Sequence, residues 1–428
     1  MTDKIVIVIV ISFLNLEQIG FMNEELKIHQ VGIIGAGMMG AGIAYVSVKA
    51  GLDVVLKDLT IEAAQKGKEM SSRLLDKKLD SGLINEVDKV KFLNKIKTSI
   101  DYTDFTGCEL VIEAVFEDRV LKRKVIQAAE EHMSSESVFA SNTSTLPITG
   151  LAKSSLRPSN FIGLHFFSPV HKMPLVEVIV GKETSRHAID VCLDYVKQIQ
   201  KTPIVVNDGR GFFTSRVFKT YLFEGLECLA EGVSPLLIEA SGTASGMPVG
   251  PLAVADEVSI ELMYKINKQT ENDLGIKLKS KAIDVVNRFI EDFDRTGRKG
   301  AGGFYEYPKE QKKYIWPELT KHYPLNSVQP SETDVQKRLL YIQAIESVKT
   351  IQENIITNPK DADVGSVLGI GFPPATGGVI SFVETIGISQ FIENCKELSV
   401  KYGSRFDPPE LLIEMAAKGK SFYNSDAE

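Results

Sequence analysis

Residues 30–58, QVGIIGAGMMGAGIAYVSVKAGLDVVLKD, constrain the fold of this chain more than any other stretch. An apolar strand pattern runs into a glycine-rich turn, a helix pattern follows, and a second strand pattern ends at Asp58. Gly35, Gly37 and Gly40 stand at the spacing G-x-G-x-x-G, where strand passes into helix. In such a unit the first glycine permits the tight turn and the second lets a pyrophosphate approach the backbone. The third lets helix pack on strand. The N–H groups and dipole of the helix N-terminus favour the phosphates. Met38 and Met39 fill the two positions before Gly40 and belong to the same cofactor-contacting turn. Asp58 lies where an acid accepts from the adenosine ribose hydroxyls, which favours NAD over NADP because the carboxylate repels a 2′-phosphate. Glycines at this spacing also occur in flexible loops. Strand, helix, strand and acid in the right order make this one a dinucleotide site.

Length and charge set the frame around that unit. A chain of 428 residues is expected to hold two or three domains. The net charge of −7 offers no basic footprint for nucleic acid, so an anionic substrate requires a local basic patch. Cys108, Cys192, Cys228 and Cys395 lie far apart without C-x-x-C spacing, and read as reduced thiols of a cytoplasmic protein. The six histidines form no metal-ligand pattern, so no metal site is expected. The apolar run from Ile5 to Leu14 is too short to span a bilayer, which takes about 20 residues. It also lacks a signal-peptide cleavage pattern. No membrane association is expected, and residues 1–28 are read as a leader outside the fold, with Met22 as a candidate true start.

Residues 29–208 continue the alternation of strand and helix that builds a parallel, doubly wound sheet of Rossmann type. A lysine-rich stretch from Ile61 to Lys97, broken near Ser81-Gly82, reads as a helical hairpin inserted into it. The strand pattern resumes at ELVIEAVFED, and SVFASNTS ends another apolar run with the polar cluster Ser141 to Ser144. NFIGLHFF, PLVEVIV and TPIVVND then add strands to the far side. If the first two form an antiparallel hairpin centred on His171, His165 and Glu177 fall directly opposite each other. Cross-strand Cβ atoms on one face are roughly 5 Å apart, so imidazole and carboxylate can touch. A histidine oriented by a buried carboxylate makes a general base near neutral pH. The same pair also reads as a satisfied core histidine beside a strand-edge glutamate.

Past Asp208 the pattern turns helical. Residues 209–308 form one helical domain closed by GRKGAGGFYEYP. Residues 309–332, with Pro317, Pro324 and Pro330, read as a linker, and residues 333–428 echo the first helical block. Arg216 and Glu224 match Arg338 and Glu346 at the same separation, Glu231 matches Glu353, and SGMPVGPL loosely matches GIGFPPATGG. This is an internal duplication, two repeated all-α domains after the α/β one.

With these residues in view, the chain resembles the L-3-hydroxyacyl-CoA dehydrogenases of fatty-acid β-oxidation. The resemblance runs from about Ile28 to Tyr402 on GAGMMGAGIA, EAVFEDRVLK, SNTS, GLHFF, PLVEVI and GRKGAGGFYEY. With its duplicated second half the chain is most similar to the dehydrogenase part of multifunctional fatty-acid oxidation enzymes, without the hydratase part. The resemblance implies that His165 is the catalytic base paired with Glu177, and that Ser144 hydrogen-bonds the 3-oxygen of the substrate. It places Glu117 and Lys122 at the nicotinamide-side ribose, makes Lys299 a further cofactor contact, and sets Ser71 and Lys78 against coenzyme A. It also implies an acyl-CoA substrate, with a separate enoyl-CoA hydratase or thiolase as candidate partner.

Two positions depart from the pattern of many relatives: Ser168 in HFFSP stands at a substrate-contacting asparagine, and Ser215, before Arg216, at an asparagine of the catalytic set. A serine still donates one hydrogen bond, with shorter reach and without the second group of the amide. The expected reaction is NAD-dependent oxidation of an L-3-hydroxyacyl-CoA to the 3-oxoacyl-CoA. Two alternatives stay open: reduction of a short 3-oxoacyl-CoA such as acetoacetyl-CoA, or a non-catalytic NAD-binding subunit of an oxidation complex. The duplication further predicts that the two helical repeats cover each other, leaving a monomer or weak oligomer.

Overall fold

The computed structural model describes residues 27–300 and 302–423; the apolar run at Ile5 to Leu14 lies outside them. The chain divides into two compact units, 1–143 with 148–203, and 144–147 with 204–428.

In the first unit, β1 (Gln30–Ile34) pairs in parallel with β2 (Asp53–Lys57) on one side and β4 (Leu110–Glu113) on the other. β3 (Ile96–Ser99) extends the sheet beyond β2, and β5 (Val138–Ser141) and β6 (Phe161–Phe166) extend it beyond β4, all in parallel. β7 (Leu175–Val180) runs antiparallel to β6, and β8 (Thr202–Asn207), where the chain passes from the first unit into the second, completes the order β3-β2-β1-β4-β5-β6-β7-β8. The order reverses between β1 and β4, and ligands of open α/β sheets bind at the carboxyl ends of strands flanking such a reversal.

Helix α1 (Met38–Lys49) is buried continuously from Gly40 to Val48, so it reads apolar all round, as a helix pressed onto a sheet must. Gly40 makes the close packing possible: a Cβ there would stand 1.8 Å from the Gly35 carbonyl oxygen. Helix α2 (Ile61–Asp80) is capped by Thr60 and buries Ala64, Gly67, Ser71 and Leu75 at one helical face. Asn85 and Asp88 form a reciprocal capping box that starts α3 (Glu86–Asn94), and Lys89 pairs with Asp76 of α2 at 2.5 Å. The helical hairpin is therefore present, but it ends before Lys97. Residues 96–99 form β3, an edge strand that buries Ile96 and Ser99 and turns Lys97 outward, so its sequence reads polar. A second correction concerns Ile28, which belongs to the core of this unit and whose carbonyl accepts from Gln198 Nε2 at 2.9 Å. Its burial beneath the first strand outweighs its place next to a polar segment.

The second unit holds two rounds of five helices. The first comprises α7 (Thr214–Ala230), α8 (Pro235–Ala244), α9 (Pro251–Val258), α10 (Ile260–Leu274) and α11 (Lys281–Glu291). The second comprises α13 (Glu332–Gln352), α14 (Pro359–Ile370), α15 (Val379–Ile386), α16 (Ile388–Tyr402) and α17 (Glu410–Ala417). The remaining helices, α4 (Arg119–Glu130), α5 (Ile148–Ala152), α6 (Arg186–Gln198) and α12 (Leu319–His322), complete the chain order. Residues 309–332, expected as a linker, are anchored instead. Leu319 is fully buried, Tyr323 nearly so, and the Arg295 guanidinium lies over the Trp316 ring at 4.4 Å. Prolines signal breaks in regular structure but not the aromatic anchors between them.

The duplication extends to polar detail. In the first repeat Glu239 accepts the Leu252 amide at 2.8 Å and the Tyr305 hydroxyl at 2.7 Å. In the second, Asp363 accepts the Ile380 amide at 2.7 Å and also takes the Tyr423 hydroxyl. KGKSFY (Lys418 to Tyr423) thus echoes KGAGGFY (Lys299 to Tyr305), a match the differing glycine content obscures.

Candidate active site

The cofactor turn is built at the end of β1. Gly35 holds φ at +95°, and a Cβ there would come 2.8 Å from the Ala114 carbonyl oxygen. Gly37, the N-cap of α1, supplies no side-chain acceptor to the first helical turn. A Cβ at Gly37 would meet nothing within 4 Å, so open space faces the unsatisfied N–H groups. Asp58 closes the side of the turn: Oδ2 accepts the Ala36 amide and Oδ1 the Leu59 amide, each at 2.6 Å. A helix N-terminus with room in front, next to an acid at the end of the neighbouring strand, fits a dinucleotide with free ribose hydroxyls. Met38 is exposed, Met39 is partly buried against the core, and the Ser168 hydroxyl donates to Met38 Sδ at 3.6 Å.

His165 and Glu177 stand opposite each other in the β6–β7 register, as the hairpin reading requires. His165 Nδ1 lies 2.9 Å from Glu177 Oε2, with the side chains 8% and 0% exposed. An ionised carboxylate only accepts, so Nδ1 carries the proton in this contact and Nε2 is the basic nitrogen. The Phe167 ring lies 4.5 Å from the imidazole, centroid to centroid. Asn142, from the SNTS run, accepts the Phe166 amide at 2.9 Å and ties that run to the histidine strand.

At the carboxyl ends of β4 and β5 lies a network that the sequence reading resolves only in part. Glu113, absent from the expected site, accepts from Lys122 Nζ at 2.7 and 3.0 Å and from the Ser141 hydroxyl at 2.8 Å. Lys122 is 1% exposed and lies 3.3 Å from Glu117 Oε2, while the Thr143 hydroxyl donates to Glu117 Oε1 at 2.5 Å. Lys122 is thus a buried organiser of Glu113 and Glu117. The detectable signal is a glutamate ending an otherwise apolar strand, LVIE. Ser71 is fully buried and its hydroxyl has no hydrogen-bond partner among the described residues; Lys78, two turns along α2, places its ammonium 5.7 Å from the Tyr45 ring centroid. Ser144, Ser215 and Lys299 belong to the second unit: Ser215 in the first turn of α7, Lys299 exposed in the turn bridged by Gly297 and Gly302.

Sheet, glycine turn and oriented histidine together define a dehydrogenase that uses a dinucleotide. Residues 30–209 match the NAD binding domain of 3-hydroxyacyl-CoA dehydrogenase and residues 211–307 match its C-terminal domain. An (S)-3-hydroxybutyryl-CoA dehydrogenase from Ralstonia eutropha is 34% identical over 66% of this chain and 100% of that one, with a TM-score of 0.62. A 3-hydroxybutyryl-CoA dehydrogenase from Escherichia coli shares the fold over 92% of this chain and 99% of its own, with 21% identity and a TM-score of 0.77. The dehydrogenase part of multifunctional enzyme 1 from C. elegans does so over 91% and 89%, with 24% identity and a TM-score of 0.64. The chain belongs to the 3-hydroxyacyl-CoA dehydrogenase family, NAD-dependent oxidoreductases. Among the described residues no helix is long and apolar enough to cross a membrane.

Proposed function

We propose that this protein oxidises an L-3-hydroxyacyl-CoA to the 3-oxoacyl-CoA in fatty-acid β-oxidation, reversibly. The observation that carries this reading is the 2.9 Å contact between His165 Nδ1 and a fully buried Glu177. Glu177 holds the imidazole in one tautomer and one orientation, with Nε2 ready to take the proton of the 3-hydroxyl. As that proton arrives, the Glu177 charge stabilises the imidazolium, and the return of the proton serves the reverse reaction. Bound NAD⁺ supplies the acceptor for the hydride leaving C3. The family resemblance assigns Ser144 to the 3-oxygen, Ser168 to a substrate contact and Ser215 to a catalytic position. Gly35, Gly37, Met38, Met39 and Gly40 form the cradle for the pyrophosphate, and Asp58 selects the 2′-hydroxyl form. Lys122 fixes Glu117 toward the nicotinamide-side ribose, Lys299 adds a further cofactor contact, and Lys78 meets coenzyme A; Ser71, expected beside it, is fully buried on the inner face of α2 instead. NADH oxidation measured spectrophotometrically against acetoacetyl-CoA and longer 3-oxoacyl-CoAs tests the proposal. Turnover on at least one is expected, and none on any would overturn it.

A further inference from the structure

One turn beyond Ser215 on α7, and so on the same helical face, stands Lys219. Its ammonium donates to Asn267 Oδ1 of α10 at 3.3 Å and lies 4.6 Å from the Phe223 ring centroid. Among the described residues no carboxylate comes within ion-pair distance of it; Glu346, which pulls on it from further off, is committed to Arg216 at 2.6 Å. Burial lowers the pKa of Lys219 from the usual lysine range, against the pull of Glu346. Asn267 is 2% exposed and its Nδ2 has no acceptor among the described residues. Two neighbouring side chains therefore present donors without a carboxylate to receive them. A half-buried ammonium and an unpaired buried amide each cost free energy.

The internal duplication supplies a control. By the match of Arg216 with Arg338, Lys219 corresponds to Tyr341; by the match of Ser259 with Gly387, which cap α10 and α16, Asn267 corresponds to Cys395. In the second repeat that corner is closed. Tyr341 stacks on Phe391 at 4.6 Å with planes 4° apart, and its hydroxyl accepts from Asn394 Nδ2 at 2.7 Å. The helical scaffold therefore forms without a lysine and an asparagine at these positions. They are present only in the repeat that follows the dinucleotide domain.

We infer that Lys219 and Asn267 form a subsite for an anionic oxygen, and that its occupant is a carboxylate at the far end of the acyl chain. The inference rests on the catalytic position proposed for Ser215, because the subsite lies one turn along α7 from it. The ammonium and the amide donate to the two carboxylate oxygens, and substrates ending in a methyl group leave both donors unmet. Loss of a hydrogen bond by a buried partner discriminates far more strongly than loss of a methylene.

The test compares kcat/KM for two 3-oxoacyl-CoAs of equal chain length, one ending in a carboxylate and one in a methyl group, with the full-length protein and NADH. The unaltered protein is expected to prefer the carboxylated substrate by at least about tenfold. Lys219→Met should collapse that ratio toward one, whereas Lys219→Arg, which keeps the charge, should preserve most of it. Asn267→Leu should reduce the ratio in the same sense. A preference for the methyl-ended substrate in the unaltered protein would overturn the inference. So would an equal loss on both substrates in Lys219→Met, which would assign the subsite to the coenzyme A or thioester part. Absence of turnover on both substrates in the unaltered protein would instead overturn the proposed function.

Discussion

Arg338 on α13 donates through Nε to Glu224 on α7 at 2.6 Å, and both side chains are 1% exposed. The relation is reciprocal: Arg216 on α7 meets Glu346 on α13 at 2.6 Å. Each arginine also takes the glutamate one helix end further on, Glu231 at 2.8 Å and Glu353 at 2.5 Å. The two repeats thus exchange their ion pairs across the α7–α13 contact. The inner pair is sealed and the outer one remains partly wet.

That difference in burial sets the stability of the two halves of the exchange. Arg338→Met leaves a buried Glu224 with only Arg405, at 2.7 Å, to compensate, and should destabilise by about 3–5 kcal/mol. Arg216→Met acts on side chains 20% and 19% exposed, which water can still reach, and should cost less, about 1.5–3 kcal/mol. Urea denaturation of both variants checks this. Equal midpoints would show that burial does not separate the two pairs.

The outer pair also predicts a pH effect. The hydrogen bond from Arg216 holds the Glu353 carboxyl below the usual carboxylate range, with burial opposing. A carboxyl depressed in the folded state stabilises above its unfolded pKa and loses that contribution as pH falls through its folded one. The stability gap between the unaltered protein and Arg216→Met should therefore narrow as pH falls from about 5 to about 3. A gap that widens over that window would contradict the assignment.

Cutting the chain after Pro308 should uncover the α7 face that α13 covers, since Leu339 and Val335 of α13 share one buried core with Leu222 and Leu226 of α7. Exposed apolar faces of this kind aggregate or dimerise. Light scattering after size exclusion reads the outcome, and a soluble, fully active monomeric fragment would refute mutual covering by the repeats.

For the chemistry, His165→Gln should lower kcat by about 10²–10⁴-fold with little change in NADH affinity. Stopped-flow turnover and fluorescence titration of NADH separate the two. Near-normal turnover would remove His165 from the proton transfer.

Cofactor choice should rest on Asp58. The unaltered protein is expected to favour NADH strongly over NADPH, and Asp58→Ala should narrow that preference, chiefly through KM for NADH. Because the same carboxylate also accepts the Ala36 and Leu59 amides, some loss of thermal stability should accompany the change.

What the sequence determined by itself was local and periodic. The glycine spacing identified the turn: at Gly35 and Gly40 only a missing Cβ clears the neighbouring carbonyl oxygens, and at Gly37 it leaves open space before the helix. The two apolar runs around His171 set the register that brings His165 to Glu177, because strand side chains alternate with period two. The echo of Arg216 by Arg338 revealed the duplication. Other features were decided by tertiary structure, because they depend on partners far apart in the chain. Ile96 to Ser99 became a strand because β2 offered an edge, although four residues with one exposed lysine are too short and polar to read as a strand alone. Glu113 and Lys122 became a sealed pair because β4 and α4 bury both charges together. Lys219 and Asn267, 48 residues apart, became neighbours only through the packing of α7 and α10. A single sequence records which residues are present, while desolvation, which decides what a charge is for, depends on everything folded around it.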